Sequence, residues 1–84
     1  MIDTATLQTM QRIVKQRVSS LLDDGYVLMF NTRGGLQTFY KLRHRTNGSF
    51  FTIYAYFSRN QIQQYTNGVC VHSAPIWNHP TYDA

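Results

Sequence analysis

Glutamate is missing from this 84-residue chain, and all four acidic residues are aspartates, at positions 3, 23, 24 and 83. They stand at the ends of a helical pattern or near a terminus. A general acid–base pair is therefore hard to assemble, and a non-enzymatic protein is expected. A single cysteine, Cys70, excludes an intramolecular disulfide and any multi-cysteine zinc site. It accords with a reducing compartment. No apolar run approaches the roughly 18 residues of a membrane span. The opening "MIDTATLQ" lacks the basic and apolar regions of a secretory leader, so a cytoplasmic protein with no membrane partner is expected. The loop Arg33-Gly34-Gly35 lacks the lysine and the following helix of a phosphate-binding loop. No cofactor is implied.

What is present is aromatic and basic. Six Tyr, five Phe and one Trp make 14% of the residues aromatic, and hydrophobic residues reach 43%. That composition is globular rather than disordered. Lys and Arg together number 8 and the formal net charge is +4. Arginine dominates the cations, and its planar fork suits phosphates, carboxylates and aromatic faces. A chain of this length is expected to form one domain, residues 1–84, and to bury only roughly 60–65% of its unfolded surface. That leaves little room for a deep catalytic cleft.

The clearest element is an N-terminal helix over about 4–24. Leu7, Met10, Ile13, Val14, Val18, Leu21 and Leu22 recur at spacings of three and four, which is one apolar stripe. Asp3 or Thr4 can cap its start and Gly25 can end it. Asp23 and Asp24 oppose the helix dipole at its C-terminal end, so packing must hold it. Three strand-like runs follow, at about 26–32, 36–46 and 49–57, with Asn47-Gly48 as a hairpin signal between the last two. Ser58 and Gln61 have the spacing of a capping box, which points to a short second helix over about 59–67 ended by Gly68. Residues 69–84 read as an extended tail, with "VCVHS" a small edge strand or arm and Trp77 its anchor. The expected fold is α+β: a long N-terminal helix on a three-stranded antiparallel meander, then a short helix and an extended tail.

A two-residue loop at Asn47-Gly48 pairs Arg45 with Phe50, Arg43 with Thr52 and Phe39 with Tyr56. Alternation then divides the hairpin into two faces. Leu36, Tyr40, Leu42, His44, Phe51, Ile53, Ala55 and Phe57 share the core face. Phe39, Lys41, Arg43, Arg45, Phe50, Thr52, Tyr54 and Tyr56 share the other. For the first strand, a two- or four-residue loop around Gly34-Gly35 turns Tyr26, Leu28 and Phe30 to the aromatic–basic face. A three-residue loop, preferred because it buries the larger side chains, turns them to the core.

The aromatic–basic face is the candidate site. Exposed Phe and Tyr stack on bases while Arg and Lys meet phosphates. Binding is expected through Phe39, Lys41, Arg43, Arg45, Phe50, Tyr54 and Tyr56, to nucleic acid or a nucleoprotein complex. The same residue types make protein-interface hot spots, so a host protein is the alternative partner. They would instead be core if the second helix or the tail folded across them. The order helix–strand–strand–strand–helix resembles double-stranded-RNA-binding domains and small mobile-element proteins, including some anti-CRISPR inhibitors. The likeness is one of element order, and it implies a phage or mobile-element accessory factor or a protein inhibitor of a host defence machine. The RNA-binding domains carry a basic cluster at the start of the last helix, where this chain has Arg59 alone. A metal-independent ribonuclease toxin is a further reading, with Arg43, His44, Arg45 and Tyr54 as its residues, although His44 falls on the face opposite the arginines. Cys70, His72 and His79 match no structural zinc spacing, and Cys70 reads as a small buried hydrophobe. Pairing of two copies of the chain is a remaining partner class.

Overall fold

The structure, a computed structural model, describes residues 3–77. A helix α1 (Thr4–Asp23) is followed by strands β1 (Tyr26–Arg33), β2 (Gln37–His44) and β3 (Phe50–Tyr56), a 3₁₀ turn (Phe57–Arg59), and strands β4 (Gln61–Thr66) and β5 (Val69–Ala74). The strands form one antiparallel five-stranded meander in chain order. No helix among the described residues is long and apolar enough to cross a membrane.

The architecture corrects the expected three-stranded meander with a second helix. Residues 61–66 are a strand, and 69–74 pair with them, so "VCVHS" is the edge strand of the two alternatives and not the arm. Local geometry explains why. Asn60 adopts a left-handed conformation with φ 49°, which a helix starting at Ser58 cannot contain. Along β4, Ile62 and Gln64 are buried while Gln61, Gln63 and Tyr65 alternate with them, so the operative period is two. Gln64 is tolerated inside because its Oε1 accepts a 2.9 Å hydrogen bond from Arg17 Nε on α1. Asn67 and Gly68 then turn the chain with φ values of 50° and 83°, the paired positive angles of a type I′ hairpin, and Thr66 faces Val69 across it.

On α1, Asp3 Oδ1 accepts the Thr6 N–H at 2.7 Å and caps the helix. Met10, Val14, Val18 and Leu21 form its buried stripe, as the spacing requires. They pack on Tyr40, Leu42, Phe51, Ile53, Ala55, Phe57 and Ile62 from the sheet, with Ile76 closing the end. Trp77 packs against this core, and its N–H donates to Asn60 Oδ1 while Asn60 Nδ2 donates back to its carbonyl. This is the expected anchor. The remaining tail, including His79, lies outside the described residues.

Two turns differ from expectation. Asn47-Gly48 does not form a two-residue loop. His44 N–H donates to Ser49 O, and residues 45–48 make a four-residue connection. Arg43 therefore pairs with Phe50, Lys41 with Thr52 and Phe39 with Tyr54, a shift of two from the expected register. An even shift changes partners but leaves every side chain on its own face. The β1–β2 loop is the two-residue one, with Gly34 N–H donating to Gln37 O. It puts Leu36 at the turn, 47% exposed, instead of in the core. It also turns Phe30 to the face opposite α1, against the preferred three-residue reading. A β-bulge between Leu28 and Phe30 then reverses the alternation, so Leu28 pairs with Leu42 and Tyr26 with His44 on the helix side.

A candidate single-strand nucleic-acid interface

Among the described residues α1 and Ile76 cover one face of the sheet, and no element packs across the other. On that open face the rings form a connected row. Phe30 of β1 lies 6.1 Å from Phe39 of β2, and Phe39 lies 4.8 Å from Tyr54 of β3. Tyr54 stacks on Tyr56 at 6.5 Å with 5° between planes, and meets Tyr65 of β4 edge-on at 5.6 Å. The row crosses four strands because cross-strand partners share a face. Each ring keeps part of its surface: Phe30 is exposed, and Phe39, Tyr54, Tyr56 and Tyr65 are half-buried.

Cations flank the rings. Lys41 Nζ stands 4.7 Å from the centre of the Phe50 ring, and the Arg59 guanidinium 4.3 Å from that of Tyr56. Arg43 is exposed on β2 opposite Phe50. Between them lies an open hollow of about 730 Å³, bounded by Lys41, Phe50, Tyr54, Tyr56, Gln63 and Tyr65 among others. The carboxylates of the described chain, Asp3, Asp23 and Asp24, belong to α1 and its caps, so the face is basic without local opposition.

Six of the seven expected residues thus meet on one surface: Phe39, Lys41, Arg43, Phe50, Tyr54 and Tyr56. Arg45 does not. The longer loop moves it into the turn, where its N–H donates to the Gly25 carbonyl at 3.0 Å. Four residues join that hairpin alternation does not reach. Phe30 arrives through the two-residue loop, Gln63 and Tyr65 through β4, and Arg59 through the 3₁₀ turn. The sequence cue for β4 is Asn67-Gly68 followed by "VCV", a second hairpin signal obscured by the inward-facing Gln64.

His44 sits on the helix side, across the sheet from Arg43 and Tyr54. Its Nδ1 accepts the Thr46 N–H at 3.3 Å and the Asn47 N–H at 3.5 Å, which leaves Nε2 to donate to the Asp24 carbonyl at 3.1 Å. The ring packs edge-on against Tyr26. Both nitrogens thereby hold the 45–48 turn to the α1–β1 junction. This geometry puts His44 on the opposite face of the sheet from Arg43 and Tyr54. Cys70 and His72 are exposed on β5, so Cys70 is not the buried hydrophobe expected. Among the described residues no group of three or more His, Cys, Asp or Glu is placed to hold a metal ion.

Comparison with known proteins yields no match: no protein-family profile, no curated protein and no solved structure is similar to this chain.

Proposed function

We propose that this protein is a non-enzymatic binding module that takes single-stranded nucleic acid, free or within a nucleoprotein complex, on the open sheet face. The observation that carries the reading is the row Phe30–Phe39–Tyr54–Tyr65 with Tyr56 beside it, flanked by Lys41, Arg43 and Arg59. Bases have π-faces on both sides and stack on exposed rings, each contact contributing roughly 1–3 kcal/mol. Phosphates follow the cations. An unpaired strand is favoured over a duplex because rings on a sheet reach bases only when these are unstacked. Gln63, which lines the hollow, supplies an amide that can both donate and accept toward base edges. A small factor of a phage or mobile element is the setting in which such a module would act.

The test is fluorescence anisotropy of a labelled single-stranded oligonucleotide at low and moderate salt, with wild type and the Arg43→Ala/Tyr54→Ala double variant. Binding that weakens with salt is expected, because phosphate contacts release counterions. The double variant is expected to lose at least about fivefold in affinity, taking one stacking contact at about 1–3 kcal/mol. Absence of binding by folded wild type overturns the proposal. The face would then belong to a protein partner, as in an inhibitor of a host defence machine, and capture of that partner would be the next experiment.

A further inference from the structure

The edge strand β1 carries an exposed apolar run of which the open-face reading uses only Phe30. Val27, Leu28, Met29 and Phe30 are consecutive and 40–55% exposed, although they belong to a strand paired with β2 along its length but for one bulge. An edge strand also presents unpaired N–H and C=O groups along its free side, and natural sheets guard such edges with lysine, proline, inward charges or a bulge. β1 has the bulge and none of the others. Its charges stand only at its two ends. Asp23 and Asp24 precede it, Arg33 closes it, and all three are exposed.

We infer that β1 pairs antiparallel with β1 of a second copy of this chain, joining two meanders into one ten-stranded sheet. The end charges choose this partner. Antiparallel self-pairing brings the acidic start of each β1 to the basic end of the other, twice by symmetry, whereas parallel pairing would set like against like. The other edge, β5, is two residues shorter and has no charge at either end to match. Face parity narrows the register. Val27 and Phe30 both lie on the open face, so a register that puts Val27 opposite the partner's Phe30 keeps faces together. It also brings Asp24, which caps α1 two residues before the strand, to the same end as the partner's Arg33. The two-fold axis then stands normal to the sheet. Both helices fall on one side, and the aromatic rows of the two copies meet at the seam. A pairing of this kind adds to the open-face reading without depending on it.

Sedimentation of the full chain without nucleic acid tests the inference. A strand pair buries less than the roughly 1,200 Å² of a stable complex, so a weak dimer is expected and loading must extend to about 500 µM. Met29→Lys places two cations beside the axis and is expected to weaken dimerisation at least tenfold on the order of like-charge costs, with an unchanged circular dichroism spectrum. Arg33→Asp is expected to weaken it roughly fivefold. Asp24→Arg combined with Arg33→Asp is expected to restore it, which no effect on monomer stability would do. Three results overturn the inference: a monomer throughout, a dimer indifferent to Met29→Lys, or a charge swap that fails to rescue. A dimer lost on Tyr54→Ala but kept in Met29→Lys would place the contact on the open face and also overturn it. Nucleic-acid binding by a strict monomer would sink this inference alone.

Discussion

The two faces of the sheet are built from the same strands, residue by residue in alternation, yet they obey different requirements. On the helix side Ile53 and Leu42 are wholly buried, and every inward position of β3 is buried in the core that α1 shares with the sheet and Ile76. On the other side Phe39, Tyr54 and Tyr56 keep about the same chemistry but pack on one another, on Phe30 and Tyr65, and under the Arg59 guanidinium at Tyr56, and they stay half-exposed. Burial on the first face makes the fold. Packing on the second holds rings at fixed spacing without hiding them, which is the arrangement a stacking surface needs. Aromatic content alone therefore does not mark a core: Phe51 and Phe50 are neighbours in sequence, and only Phe51 is buried.

Substitutions probe this contrast directly. The largest effect is expected on the covered face. Ile53→Ala removes three carbons from a site with no exposed surface and should cost about 2–5 kcal/mol in urea unfolding. A loss under about 1 kcal/mol would mean that α1 does not close over β3 as described. Next comes the junction that joins the layers. Gly25 has φ +98°, and a Cβ there would meet His44 Nε2 at 3.1 Å. Gly25→Ala should therefore destabilise by about 1–2 kcal/mol, and chemical shifts of Thr46 and Asn47 should move with it, since His44 holds that turn. Little change in either would show that the His44 bridge is slack. The smallest effect on stability is expected on the open face. Arg43→Ala should shift unfolding by no more than about 0.5 kcal/mol, while lowering the salt slope of oligonucleotide binding by about one. A large stability loss at Arg43 would erase the distinction between the faces.

Much of this surface is legible in the order of residues. Alternation alone assigns Phe39, Lys41 and Arg43 to the same side as Phe50, Tyr54 and Tyr56. That assignment withstands the change from a two- to a four-residue loop because the shift is even. Arg45 is lost to the same change, since two extra loop residues remove it from the strand. Tyr65 and Gln63 are not legible. A buried glutamine breaks the apolar alternation of β4, and its acceptability depends on Arg17, 47 residues away in sequence.

The amphipathic helix, its cap, its end at Gly25 and the parity of the β2–β3 hairpin follow from the amino-acid order. These features depend on interactions between residues a few positions apart, which neighbouring side chains specify directly. The sheet's width, the bulge in β1 and the exposure of the aromatic row follow from long-range contacts. Whether residues 61–66 become helix or strand turns on a ladder offered by β3, a return strand from β5 and an arginine on α1. Those partners meet only after the chain has folded, when unpaired backbone groups and a buried amide must each find a hydrogen bond.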